Sequence, residues 1–350
     1  MARKGRGATF SPANRFHSVH REPVDDGWPA DEAPPPLRTE VREERCRRII
    51  SRNSSPDIAF DRSLNPYRGC EHGCIYCYAR PSHAWLDLSP GLDFESRLTA
   101  KVNAAERLRE ELAAPGYRCA PIALGVNTDA WQPLERRRRI TRAVLEVLVE
   151  ARHPVMVITK SALIERDIDL LQALAADGLV SAALSITTLD PGLARRMEPR
   201  AAAPHRRLET LARLHEAGIP TGVMLAPLIP FLNDGELEDL LGRCREAGAA
   251  WAGYVFLRLP HEVAPLFEDW LRSHYPLKAE RILARIRDSR DGQLYRSDFG
   301  TRMRGGGQYA ELIAARFERA RRRLGYGAPP RLRCDLFRPP VPPSGQLGLF

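Results

Sequence analysis

Lysine is almost missing from this chain. It occurs only as Lys4, Lys101, Lys160 and Lys278, and the remainder of the 53 Lys and Arg residues are arginine. The net charge of +9 at pH 7 therefore rests on guanidinium groups, which recognise phosphate in a planar, bidentate fashion. Such a surplus favours an anionic partner such as nucleic acid. The alternative is a compositional arginine bias whose charges are simply solvated.

Long apolar runs are missing too. No stretch approaches the ~20 residues of a membrane span, and the basic opening "MARKGRGATF" has no apolar segment behind it, as a secretory signal would. Both absences predict a cytoplasmic protein with no membrane contact. Cysteine is scarce: seven in 350 residues are too few for a disulfide scaffold, and in a reducing compartment a tight cysteine cluster reads as a metal site. Cys119, Cys244 and Cys334 are scattered and read as small buried apolar residues.

What is there, from about Phe60 onward, is alternation. Short runs rich in β-branched residues, at 121–126, 154–159, 179–186, 220–229 and 251–259, are separated by segments with apolar residues at i, i+3 and i+4, at 135–151, 165–177, 204–218 and 234–248. Gly178, Gly218 and Gly248 follow these helices as C′ residues, and Pro154 and Pro220 sit where a strand begins. Nearly continuous apolar strands suit a parallel sheet covered by helices. With a first strand leading into the cysteines, six β/α units are predicted, two short of a closed eightfold barrel. The expected organisation is an irregular basic arm over 1–57, an α/β partial barrel over 58–260, a helical extension over 261–328, and a Pro-rich tail over 329–350.

The chemistry is concentrated in "NPYRGCEHGCIYCYAR" (65–80), where Cys70, Cys74 and Cys77 are spaced C-x3-C-x2-C. Three thiolates can hold three irons of a cluster and leave the fourth open to a small chelating ligand, whereas a closed zinc site wants four ligands. A zinc loop completed by Cys46 or His72 is the alternative, but zinc sites favour C-x2-C pairs. Tyr76 is placed to lay an aromatic face beside the ligand, and Gly69 and Gly73 allow the backbone to turn tightly.

C-x3-C-x-aromatic-C after a first strand resembles the signature of the radical S-adenosylmethionine (radical SAM) superfamily. "TDAWQPLE", "ITKSALIERDIDLL", "LSITTLD" and "MLAPLIPFLND" follow in the order of its spore photoproduct lyase-like branch, over about residues 58–260. The resemblance implies a partial (β/α)6 TIM-like barrel with a [4Fe–4S] cluster on Cys70, Cys74 and Cys77. It implies one-electron reduction by a donor such as flavodoxin or ferredoxin, cleavage of S-adenosylmethionine, and a 5′-deoxyadenosyl radical that takes a substrate hydrogen, in repair or modification of nucleic acid. A protein or small-molecule substrate, or a structural cluster in a DNA-associated protein, are the alternatives. Lys160 would pair with the S-adenosylmethionine carboxylate and Ser185 and Thr187 would bond ribose or carboxylate. The backbone of Ala226 would hold adenine, and the amino group would lie near the strand tip carrying Thr128 and Asp129. Asp129, Trp131, Gln132 and Glu135 are candidate substrate contacts. One departure stands out. The branch carries a cysteine hydrogen donor just before its Ser/Thr-Asp pair, and here that stretch reads Val126 and Asn127, which puts thymine-dimer repair in doubt.

Two further signals remain. The last five residues, "QLGLF", resemble a bacterial sliding-clamp-binding peptide, with Gln346, Leu347, Leu349 and Phe350 as partner contacts held out by the Pro-rich spacer. The run Gly305–Gly307 beside Arg302 and Arg304 is a candidate phosphate cradle or a plain loop.

Overall fold

The computed structural model describes residues 5–16 and 37–341. Two short strands, β1 (Glu40–Glu44) and β2 (Ile50–Arg52), precede β3 (Arg62–Leu64) and β4 (Tyr67–Arg68). The cysteine loop follows, then α1 (Leu92–Ser96), β5 (Arg97–Lys101) and α2 (Ala104–Ala113). The alternating part comprises β6 (Ile122–Leu124), α3 (Glu135–Arg138), α4 (Ile140–Glu150), β7 (Val155–Thr159), α5 (Ile168–Ala176), β8 (Val180–Ser185), α6 (Pro191–Met197), α7 (Pro204–Glu216), β9 (Thr221–Leu228), α8 (Leu237–Glu246) and β10 (Trp251–Phe256). Three helices close the fold: α9 (Val263–His274), α10 (Ala279–Asp288) and α11 (Gly307–Arg323).

The main sheet has the order β10-β9-β8-β7-β6-β3-β2. Every pair from β3 to β10 is parallel, and β2 adds antiparallel to the outer edge of β3. Six parallel strands with β10 and β2 at separate edges make the open partial barrel that the alternation predicts. All six positions of β8 are buried, as expected for a central strand covered on both faces. Gly178, Gly218 and Gly248 all have positive φ after their helices.

Several elements differ from the sequence pattern. The helix predicted over 135–151 is broken at Arg139, which has φ +54. The break exists because the buried Glu135 carboxylate accepts the Thr141 N–H at 3.0 Å and so caps α4. The N-terminal arm is not wholly irregular. β1 pairs in parallel with β5, whose other edge takes β4, in a second, three-stranded sheet. The charged sequence of β1, "EVREE", has no apolar alternation to announce a strand. Cys244 is buried, whereas Cys119 and Cys334 are only half-buried.

The helical extension is tied to the cysteine loop through a second apolar core. Ile75 from the loop and Met197 from α6 pack with Phe267, Trp270, Leu283 and Ile286 of α9 and α10. The Ile75 N–H donates to the Met197 carbonyl at 3.0 Å, and the Trp270 indole donates to the Arg196 carbonyl at 3.1 Å.

The Pro-rich segment is not a free spacer over its first half. The Arg333 N–H donates to the Gly178 carbonyl and the Arg338 N–H to the Ala151 carbonyl. Phe337 lies 5.4 Å from both Tyr117 and His153, ring to ring. These partners lie where helices lead into β7 and β8, so the segment runs along the barrel end opposite the strand tips. Gln346, Leu347, Leu349 and Phe350 lie outside the described residues.

His153 under that segment is fully buried. Its ring contacts the Tyr117 hydroxyl at 2.8 Å and the Pro154 carbonyl at 3.0 Å. Burial, only partly offset by the Pro154 bond, lowers its pKa to about 4. Because the folded value lies below the unfolded 6.5, the neutral ring contributes stability that is fully present above pH 6.5 and is lost as pH falls toward 4. Chemical denaturation of the wild type is expected to lose up to ~3 kcal/mol over that window relative to His153→Gln, and parallel pH curves for the two proteins would contradict it.

Candidate active site

The cysteine loop is shaped by a buried ion pair. Arg80 and Glu95 are both fully buried, with their charged groups 2.5 Å apart. Arg80 donates from Nε to the Cys74 carbonyl at 2.9 Å, from Nη2 to the Gly73 carbonyl at 3.2 Å, and from Nη1 to the carbonyls of Pro90 and Gly91. A planar fork with five donors suits this task, because it fastens several carbonyls of an irregular loop at once. Glu95 accepts the N–H groups of Gly7 and Ala8 at 2.9 and 2.8 Å. The N-terminal segment is thus strapped across the loop, and a Cβ at Gly7 would overlap the Gly73 carbonyl. Gly73 itself has φ +66, with the Glu95 carboxylate 2.8 Å from where its Cβ would be.

The loop delivers Cys70, Cys74 and Cys77 to one cavity of about 320 Å³ at the C-terminal ends of the parallel strands. Tyr76, Thr128, Asp129, Lys160, Ser185 and Ala226 line the same cavity. None of the three cysteines is in a disulfide, and burial pushes all three thiols up. Buried thiols ionise when a cation binds them, so the donor set fits a thiolate-ligated metal group. A four-ligand zinc site is not assembled by the side chains as they stand. Among the described residues no three His, Cys, Asp or Glu side chains converge on a single ion. Cys46 is engaged instead with Asn103, and His72 faces Asp129 at 3.4 Å.

The strand tips are interlocked. Asp129 accepts from Thr159 Oγ1 at 2.7 Å and from the Lys160 N–H at 2.8 Å, which fixes the tip of β7 against that of β6. Burial alone would raise its carboxyl, but His72 and these hydrogen bonds hold it down at about 2. Lys160 Nζ donates to Ser185 Oγ at 2.7 Å and stands 5.8 Å from the Tyr76 ring centroid. Behind that ring lies Glu198, fully enclosed, which accepts from the Tyr76 hydroxyl, from Thr187 Oγ1 at 2.6 Å and from Arg207. Arg207 also donates to the Ser185 carbonyl at 2.9 Å. Opposing burial, Arg207 and Lys160 keep Glu198 ionised, at about 2.

Three expected substrate contacts lie elsewhere. Trp131, Gln132 and Glu135 are fully buried and do not line the cavity. The Trp131 indole donates to Asp167 at 2.9 Å. Gln132 spans the cysteine loop, accepting the Glu71 N–H and donating to the Gly69 carbonyl. Glu135 is held by Tyr67 and Arg166. Their polar groups are spent inside the wall. Thr187 likewise sits behind Tyr76 rather than on the cavity. The pattern gave no sign of Arg80, Glu95, Glu198 or Arg207, whose partners lie 9 to 15 residues apart across irregular turns. Asn65 was also unmarked, although its side chain accepts the N–H groups of Asn127 and Thr128. Its place within the loop motif was the available signal.

The profile of the Radical SAM superfamily matches residues 64–244, from the end of β3 through α8. The chain belongs to the radical SAM superfamily. It is thus an enzyme of the class that uses S-adenosylmethionine and an iron–sulfur cluster. An uncharacterized protein of Mycobacterium tuberculosis, Rv2578c, is 38% identical over 229 residues, covering 64% of this chain and 67% of the relative. An uncharacterized protein of Methanocaldococcus jannaschii, MJ0683, is 27% identical, covering 70% and 87%. Among solved structures, spore photoproduct lyase complexed with dinucleoside spore photoproduct shares the fold at a TM-score of 0.56 and 14% identity, over 82% of this chain and 80% of that one. A mutant lyase with bound AdoMet and the same photoproduct gives 0.53 at 13% identity over the same shares. Among the described residues no helix is long and apolar enough to cross a membrane.

The strap makes a direct test of the loop's support. Gly7→Val is expected to destabilise the protein by about 1–3 kcal/mol, the usual cost of overpacking, and to hasten bleaching of the cluster's ~400 nm absorption in air. A wild-type melting temperature together with a wild-type bleaching rate would show that the segment does not brace the loop.

Proposed function

We propose that this radical SAM enzyme holds a [4Fe–4S] cluster on Cys70, Cys74 and Cys77, binds S-adenosylmethionine beside it, and modifies or repairs nucleic acid. The observation that carries the cofactor assignment is three free thiols, two buried and that of Cys77 half-buried, on the wall of a cavity that also presents the Lys160–Ser185 pair. Bound together there, the two cofactors supply a carbon-centred radical able to remove a hydrogen atom from a substrate. The chain's own part is to bind, orient and shield. Lys160, steered by Ser185 and anchored at its N–H by Asp129, takes the carboxylate of S-adenosylmethionine. The Ala226 backbone takes the adenine, and the Tyr76 ring, fixed through its hydroxyl by Glu198, backs the ligand. Ile58, Phe60, Val126, Ile158 and Met224 form apolar wall that excludes water from a reactive centre. The single electron comes from a flavodoxin- or ferredoxin-type donor.

The arginine-borne charge supports the nucleic-acid half, as does the dinucleoside bound by the spore photoproduct lyase that shares this fold. Thymine-dimer repair is not part of the proposal. Val126 and Asn127 line the cavity where the branch carries its cysteine donor, and Cys119 lies at the opposite end of β6.

Two measurements test the two halves. After anaerobic reconstitution, Lys160→Ala should retain the ~400 nm absorption while S-adenosylmethionine binding weakens by about 1.5–3 kcal/mol, the worth of a charge-assisted hydrogen bond. Unchanged affinity by calorimetry would return Lys160 to a structural role. Affinity for a single-stranded oligonucleotide should fall about tenfold or more between 50 and 200 mM salt. Absence of binding at the lower salt would favour a protein or small-molecule substrate.

A further inference from the structure

Across the sheet from Lys160 the cavity presents a second cation. Arg258 lies two residues beyond the end of β10 and lines the cavity. Lys160 follows β7, three strands away in the sheet order, which is about 14 Å along the sheet at ~4.8 Å per strand.

Among the described residues no carboxylate is within ion-pairing distance of Arg258. Its Nε is buried with no hydrogen-bond partner. Nη1 has only the Met303 sulfur, a weak acceptor, at 3.4 Å. The guanidinium is 5.2 Å from the Tyr78 ring centroid. Asp57, the acidic group whose charge acts on this site, is already taken by the Arg302 side chain and by the Gly300 N–H at 2.7 Å. Behind Arg258 stands Arg290, which also has a buried, unpartnered Nε and gives its other donors to the carbonyls of Leu257, Thr301 and Arg302. Two guanidinium groups meet here with no carboxylate paired directly to either and only the charge of Asp57, shared with Arg302, nearby, in contrast to the Arg80–Glu95 and Arg207–Glu198 pairs of the same barrel end. The Nε atoms are enclosed, so it is the terminal nitrogens of Arg258, on the cavity wall with only a thioether as partner, that a ligand can complete.

The surroundings are formed in advance. The Phe256 N–H donates to the Met303 carbonyl at 2.9 Å, so the 298–306 loop is fastened to the end of β10 and forms a wall of the cavity. Tyr78 follows Cys77 directly, its hydroxyl is fixed on the Val126 carbonyl, and at 46% exposure its ring keeps an open face.

We infer that Arg258, flanked by Tyr78 and Met303, is the oxyanion-binding residue of a substrate subsite at the rim of the cavity, built to hold a phosphate ester one step from the cluster loop. A guanidinium fork matches a phosphate bidentately, and an aromatic ring beside it accepts a stacked base. The nucleic-acid reading above is used only for the source of the phosphate.

The test uses the anaerobically reconstituted holoenzyme with S-adenosylmethionine. One arm measures anisotropy of a fluorescein-labelled single-stranded oligonucleotide as a function of salt, and the other measures calorimetric binding of thymidine 5′-monophosphate. Arg258→Gln should weaken binding about tenfold or more and lower the oligonucleotide salt slope by about one. Arg258→Lys should keep the slope and recover part of the affinity. Met303→Glu, which supplies the missing carboxylate without removing Arg258, should weaken binding similarly and decides the matter if Arg258→Gln does not fold. If the wild type binds only the mononucleotide, and does so through Arg258, the subsite stands and the nucleic-acid reading falls. Wild-type affinity and slope in both Arg258→Gln and Met303→Glu, or no binding of either probe by the wild type, would overturn the subsite.

Discussion

The ion pair between Arg80 and Glu95 is the contact on which the catalytic end of this protein depends. An irregular loop that must hold three cysteines toward one cavity cannot satisfy its own carbonyls by regular pairing. Arg80 does so from inside, with donors to both Gly73 and Cys74. The guanidinium is tolerable there only because Glu95 neutralises it, and Glu95 in turn spends its remaining lone pairs on the N-terminal strap. Removing either partner would leave a charge stranded in a dry interior, a loss far larger than the net worth of the pair. The strap and the loop are therefore one unit, although 60 to 70 residues separate them in sequence.

A second buried pair, Glu198–Arg207, performs the same task one layer along. It joins the turn after α6 to the start of α7 and holds Tyr76 and the end of β8 in fixed relation. Asp129 ties β6 to β7 in the same way. Strand tips in an open barrel have no closing strand to hold them, so polar cross-links at the tips supply the rigidity that closure would otherwise give. The consequence is functional. Chemistry that depends on positioning loses much of its rate for displacements of about 1 Å, and here the polar cavity residues Thr128, Asp129, Lys160 and Ser185 of the β6–β8 wall are each hydrogen-bonded to a neighbour.

The barrel was legible from the sequence because its signal is periodic. Five continuous apolar strands alternate with four 3.6-residue helices, and glycines at 178, 218 and 248 mark helix ends. The cysteine motif was legible because three thiols at fixed spacing have few uses. What stayed hidden is non-periodic. β1 is charged along its whole length and forms only because β5 offers it an edge. Trp131, Gln132 and Glu135 follow a strand tip in sequence, as substrate contacts would, yet they turn into the wall, where Asp167, the Gly69 carbonyl and Arg166 take their polar groups. Their polarity marked internal hydrogen bonding rather than ligand contact. Arginine was ambiguous for the same reason, because composition cannot separate those that neutralise buried carboxylates from those left unpaired.

That separation gives the net charge its meaning. Arg80 and Arg207 are consumed internally, Arg302 is matched by Asp57, and many surface arginines sit in exposed pairs worth little. A formal surplus spread over paired residues creates no binding site. A charge on a cavity wall, where Arg258 has no carboxylate paired to it and Arg290 stands buried behind it, would instead be focused by low-dielectric walls on an entering substrate. In the proposed reading, Lys160 takes the S-adenosylmethionine carboxylate on the β7 side of the cavity and Arg258 takes a substrate phosphate on the β10 side. An anionic substrate drawn to Arg258 would then sit across the cavity from the S-adenosylmethionine carboxylate rather than compete with it. Two cations on different strands would thereby sort two anions within one chamber, and the order of strands in the sheet sets which wall each cation comes from.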